Sequence, residues 1–213
     1  MAREYKILLG IGLGAIVIGY LLFKFAGAPA APSALTLRAD AYSLGATDAP
    51  ITITEFADFQ CPACRMAKGV TSQLLAAYPG QVRIVFRHFP LNGHPLAQPA
   101  AQAAEAAGAQ GKFWEMHDAL YENQDDWGDA TKPLSRKEAG DRFMSYARDL
   151  GLDEAKFKAD YENNSFSQNI SGDQSAGNLA GVNSTPQFFV NETMIENPSY
   201  AAISAEVDKR LGK

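Results

Sequence analysis

Two cysteines, Cys61 and Cys64, and three histidines, His88, His94 and His117, are all that the 213-residue chain contains of either type. That scarcity removes most metal chemistry. A Cys-x-x-Cys pair can supply half of a zinc site, but such sites are completed by further Cys or His ligands, and no histidine pair here has ligand spacing. Excess positive charge is also missing. Lys and Arg total 19 against 24 Asp and Glu, a net of −5 with a sequence pI near 5.2. A phosphate-backbone partner is not suggested, and nucleic acid is set aside. Without the first 25 residues (Arg3, Lys6 and Lys24 against Glu4), 16 basic side chains face 23 acidic ones, a net of −7.

One long apolar run is present, at Ile7–Phe23, with Arg3 and Lys6 before it and Lys24 after it. Its 17 residues are at the short end for a membrane span and exceed the usual signal-peptide core. The basic flank predicts a cytoplasmic N-terminus and export of the rest. Two outcomes stay open: a retained single-pass anchor, which the length and Lys24 favour, and a signal peptide cut at Ala28-Pro29-Ala30. Either way the bulk of the chain is expected at the periplasmic or outer face of the cell membrane, where disulfides persist. Residues 1–25 are thus read as anchor or signal, 26–41 as an Ala- and Pro-rich linker, and 42–213 as the folded domain.

Within that domain the patterning alternates between strand and helix, an α/β class. Ala34–Arg38 reads as a short strand and Gly45–Pro50 as a turn. Ile51–Phe56 is an alternating β-branched strand. Arg65–Tyr78 reads as a helix with Met66, Val70, Leu74 and Tyr78 along its apolar face, stopped by Pro79-Gly80. Gln81–Phe89 is a second strand, parallel to the first across the helical crossover. Helices are expected at Ala97–Ala109, Lys112–Glu122, Ser135–Leu150 with a Ser135/Glu138 capping box, Asp153–Tyr161 and Ser167–Leu179. These form a helical insertion over about 95–180. Thr185–Val190 returns to strand, Met194-Ile195 pairs with it, and Tyr200–Leu211 closes the chain as an amphipathic helix.

Cys61-Pro62-Ala63-Cys64 lies where the strand turns into the first of these helices. Cys61 falls near the N-cap and Pro62 at the first helical position, where its missing N–H costs nothing. Unpaired N–H groups and the positive end of the helix dipole then face the Cys61 sulfur and favour its thiolate. Cys64 is one turn on, placed to resolve a mixed disulfide. A purely structural bridge over so small a loop would stabilise little, which favours redox chemistry. No metal or organic cofactor is expected, the working group being the Cys61–Cys64 disulfide. Glu55 alternates with Ile51 and Ile53 and is expected buried with them. Asp58 is expected exposed near the rim of the site.

These residues resemble the thioredoxin superfamily, and within it the DsbA-like thiol oxidoreductases of bacterial envelopes. The resemblance rests on the strand and Cys-x-x-Cys of Thr52–Met66. It is carried further by Arg87-His88-Phe89-Pro90 with Gln110-Gly111-Lys112-Phe113-Trp114, and by Val182–Asn191 with its Thr185-Pro186. It implies a thioredoxin fold, a central mixed sheet flanked by helices, with an inserted helical subdomain. It also implies a cis Pro186 beside the cysteines, Thr185 offering main-chain groups to an extended substrate, and Glu55 taking the proton of Cys64. The implied activity is the introduction of disulfides into exported proteins, with a DsbB-like or vitamin K epoxide reductase-like quinone-linked membrane protein as reoxidant. An extracytoplasmic reductase using the same pair, and a tethered peptide-binding or chaperone module, stay open. Pro62-Ala63 is neither Pro-His nor Gly-Pro, which implies a potential between the most oxidising and the reducing members. About two dozen residues separate anchor and domain, too few for a dimerisation module, so a monomer is expected.

Overall fold

In the computed structural model, residues 35–38 and 40–213 are described. The apolar run at 7–23, with the anchor expected of it, lies outside them. Among the described residues, no helix is long and apolar enough to cross a membrane.

Five strands form one mixed sheet: β1 (Ser43–Gly45), β2 (Ile51–Ala57), β3 (Val82–His88), β4 (Gln187–Val190) and β5 (Thr193–Met194), in the order β1-β3-β2-β4-β5. β2 and β3 pair in parallel, with Glu55 opposite Phe86, and the remaining pairs are antiparallel. The two parallel strands are buried at six of seven positions each, as strands covered on both faces must be.

On one face, α1 (Pro62–Ala77) and α8 (Tyr200–Leu211) cover Ile51, Ile53, Ile84, Phe188 and Val190 with Ala67, Leu74, Ile203 and Val207. Between β3 and β4 the chain inserts six helices: α2 (Ala97–Gly108), α3 (Phe113–Glu122), α4 (Gln124–Trp127), α5 (Arg136–Asp149), α6 (Glu154–Glu162) and α7 (Ser167–Leu179). α2 is alanine-rich and buried almost all round, so its neighbours approach closely. Phe113, Met116, Leu120, Tyr121, Trp127, Phe143 and Phe157 pack about it, and the same cluster takes in Ala57, Cys61 and Cys64. The cysteine pair therefore sits where the insertion's core meets the end of the sheet. α7 lies on Phe56 and Phe89 through Gly177, where a Cβ would come within 2.7 Å of the Phe89 ring.

The structure corrects two expectations here and adds one element. Met66 is 73% exposed, because α1 buries Cys64, Ala67, Thr71 and Leu74; the four-residue steps through Met66, Val70 and Leu74 drift around the helix relative to that stripe. Thr36–Arg38 is not a strand: side chains hold it, with Arg87 Nη1 donating to Thr36 O and Arg38 Nη2 to Glu105 Oε1. Part of the stretch read as linker is thus tied to the domain. α4 was not foreseen, being one turn held by the burial of Gln124 and Trp127.

Candidate active site

Cys61 is the N-cap of α1, in extended conformation (φ −75°, ψ 120°), with Pro62 at the start of the helix. Its main-chain oxygen accepts from the N–H of Cys64 at 3.1 Å and of Arg65 at 3.3 Å, opening the helix beneath the sulfur. Both cysteines are thiols and both are buried. Pro62 is exposed and Ala63 half-buried, so the motif presents its intervening residues to solvent.

The two thiols are pushed in opposite directions. Cys61 is drawn down to about 5, chiefly by the hydrogen bond from Cys64, against its own burial, with help from the Thr185 side chain and the Cys64 and Ala63 amides. Cys64 is raised well above the usual thiol range by burial, by the same bond to Cys61 and by the Cys61 charge. One sulfur is an anion at neutral pH and the other keeps its proton. That division suits an attacking thiol and a resolving thiol.

The antiparallel β2–β4 register, with Phe56 opposite Gln187, delivers the residues preceding β4 to the cysteines. The Thr185–Pro186 bond is cis, and the Cys61 thiol donates to Thr185 O at 3.4 Å. The Thr185 hydroxyl is buried and has no hydrogen-bond partner, which leaves it available to a thiolate at Cys61. Glu55, on β2 between Phe86 and Phe188, is 4% exposed. Burial alone raises its carboxyl to about 8, so it carries a proton at neutral pH; once ionised, its charge would raise Cys64 further.

Asp58 is buried, 2% exposed, and not on the rim as expected. Its carboxylate accepts from Gln60 N at 2.7 Å and Leu91 N at 2.9 Å, and lies 2.7 Å from His94 Nδ1. Burial raises its pKa while these bonds oppose the rise. The sequence reading also missed Gln60 and Gln124. Gln60 accepts from Leu96 N at 2.7 Å, and Gln124 Nε2 donates to the oxygens of Phe59 and Cys61, which ties the insertion to the loop before α1. Phe56 and Phe59 on either side of Asp58 were the available signal that this loop points inward; nothing local marks the glutamines. A groove of about 650 Å³ runs beside Pro62, lined by Met66, His94, Leu96 and Trp127. Among the described residues, no cluster of His, Cys, Asp and Glu could hold a metal ion.

Residues 38–209 match a family model described as Thioredoxin. The chain belongs to the thioredoxin family. It is similar to a thioredoxin-like oxidoreductase from Silicibacter pomeroyi DSS-3, at 28% identity and a TM-score of 0.68 over 86% of this chain and 99% of that one. Oxidised BdbD from Bacillus subtilis gives 23% identity and 0.71 over 82% and 94%, and α-DsbA1 from Wolbachia pipientis 22% and 0.71 over 84% and 96%; these two show the shared fold. In sequence, the chain is 41% identical over 165 residues to Na(+)/H(+) antiporter NhaA 3 of Salinispora tropica, covering 76% of this chain and 24% of that protein. It is 38% identical over 174 residues to NhaA 1 of Salinispora arenicola, covering 78% and 25%. The chain thus spans about a quarter of the length of these curated relatives, and their antiporter name describes those longer proteins. This thioredoxin-family chain shares with its structural neighbours the sheet and the helical insertion.

Proposed function

We propose that this DsbA-like oxidoreductase is a dithiol oxidase that introduces disulfides into exported proteins through Cys61 and Cys64. The observation carrying the reading is the opposed pair of thiols at the start of α1, Cys61 drawn down to about 5 and Cys64 raised. A thiolate stabilised in the reduced enzyme makes the disulfide form the better oxidant. A value near 5 falls between about 7 for thioredoxin and about 3.5 for DsbA, on the side that favours oxidation of substrates.

In the forward step a substrate thiolate attacks Cys61 Sγ of the disulfide, and the Cys61–Cys64 bond breaks. Cys64 leaves as thiolate and takes a proton, for which Glu55 is the buried source. A second substrate thiolate attacks the substrate sulfur of the mixed disulfide, forming the substrate disulfide and releasing Cys61 as its stable thiolate. Two electrons pass from the substrate to the cysteine pair. Thr185 and the edge before β4 hold the substrate main chain by strand addition. Unfolded or reduced exported proteins are the substrates. A quinone-linked membrane protein, DsbB-like or vitamin K epoxide reductase-like, withdraws the electrons. The apolar run at 7–23 anchors a monomer by a single pass, with its N-terminus cytoplasmic and this domain outside the cytoplasm.

Redox titration of the Cys61/Cys64 couple tests the direction. A potential above roughly −180 mV supports the oxidase, and one near about −270 mV replaces it with a reductase using the same pair.

A further inference from the structure

The main-chain N–H of Asp58 donates to Cys64 Sγ at 3.5 Å. Every other polar group of Asp58 is tied down. Oδ1 accepts from Gln60 N, Oδ2 from Leu91 N and sits against His94 Nδ1, and the main-chain oxygen accepts from Cys61 N at 3.1 Å and from the Tyr121 hydroxyl at 3.4 Å. The peptide at residue 58 cannot turn away from Cys64 without breaking several of these bonds. Of the side chains that hold Asp58, His94 is the one with access to solvent. Its side chain is 27% exposed and forms part of the groove beside Pro62.

We propose that Asp58 is a positioning residue for the resolving thiol, held by His94 so that its N–H faces Cys64 Sγ whenever that sulfur carries charge. The inference rests on the reading of Cys61 and Cys64 as an exchange pair. In resolution, the Cys64 thiolate attacks Cys61 Sγ of the mixed disulfide; the Cys61–Cys64 bond forms, the Cys61–substrate bond breaks and the substrate leaves as thiolate. In the reverse direction, a substrate thiolate attacks Cys61 and Cys64 leaves with the electron pair. Negative charge passes through Cys64 Sγ both ways, and an amide donor fixed beforehand stabilises it without reorganisation. Glu55 serves the same sulfur as a proton source; Asp58 serves it through the main chain, its carboxylate being the handle by which that amide is held.

The full chain is tested in single turnover with a chromogenic aryl disulfide. The first aryl thiolate reports labelling of Cys61, and the second reports attack by Cys64. His94→Ala is expected to leave the first release unchanged and to slow the second about 3- to 10-fold, the loss expected from a loosened hydrogen bond to a charged sulfur. His94→Asn, which puts an amide donor where Nδ1 stood, is expected to restore the second release to within about twofold of wild type. Should the alanine chain fail to fold, His94→Phe fills the space without a donor to Asp58. A second release at wild-type speed in the donorless variant, or an asparagine variant no faster than it, overturns the positioning role. A wild-type chain that labels at Cys61 but never releases the second thiolate overturns the exchange-pair reading itself.

Discussion

The Cys61 sulfur lies 3.4 Å from the main-chain oxygen of Thr185, a residue 124 positions further along the chain. A carbonyl oxygen can only accept, so this bond stabilises the thiol. The Thr185 hydroxyl, buried and unpartnered, is what can donate once the proton leaves. Thr185→Val therefore separates stability from reactivity. Replacing an unsatisfied buried hydroxyl with a methyl group is expected to leave unfolding free energy within about 0.5 kcal/mol of wild type or above it. The Cys61 pKa is expected to rise by about half a unit, read from the pH dependence of alkylation. A variant with unchanged Cys61 titration would remove Thr185 from the thiolate's support.

The leading cause of the low Cys61 pKa is the Cys64 thiol. Cys64→Ala deletes that donor and Cys64→Ser supplies another. Ultraviolet thiolate absorbance against pH is expected to show Cys61 in the alanine variant titrating at least about one unit higher than in the wild-type chain. The serine variant should fall between the two. Equal titration in all three chains would mean that the helix amides alone set the value.

Glu55 is raised to about 8 by burial, and the sign of its effect on stability follows. Below about pH 4.5 both folded and unfolded chains hold the proton, and Glu55 adds no pH-dependent penalty. As pH rises from there to about 8 the unfolded chain has lost the proton while the folded chain keeps it, so stability falls by up to about 1.4 kcal/mol per pH unit. Glu55→Gln is expected to be neutral near pH 4.5 and to be more stable than wild type by roughly 4 kcal/mol at pH 8, measured by denaturant unfolding. The same variant should slow protonation-linked release of Cys64, visible as a flattened pH–rate profile. A stability difference that does not change with pH would show that Glu55 is ionised in the folded protein.

Much of this was legible because the information was local. Cys61 and Pro62 announced an N-cap, Ser135 and Glu138 a capping box that forms as expected, and Ser167–Leu179 and Tyr200–Leu211 match their helices to the residue. Glu55 could be placed inside by alternation with Ile51 and Ile53. Asp58 was misplaced because the partners that make burial tolerable, Leu91 and His94, lie more than 30 residues away. Arg38 likewise reads as a linker residue until α2 and α7 bring Glu105 and Asp173 to it.

Asp173 offers a prediction about the fold that leaves the redox site alone. It is 0% exposed on α7, pairs with Arg87 Nε, accepts from His88 N at 3.2 Å, and has Arg38 Nε 3.6 Å away. Asp173→Ala would strand the 2%-exposed Arg87 guanidinium and the buried His88 amide. Removing one partner of a buried pair costs about 3–5 kcal/mol, because the remaining charge keeps its desolvation penalty without compensation. Denaturant unfolding of the variant should show a loss of that size. Asp173→Asn keeps an oxygen for the His88 amide and should lose less. Alkylation of the folded fraction separates this from a catalytic effect. Cys61 should titrate as in the wild-type chain, since no bond from Asp173 reaches the cysteines. A displaced Cys61 titration in a chain still fully folded would show that the charges at the C-terminal end of β3 act on the thiols as well as on the fold.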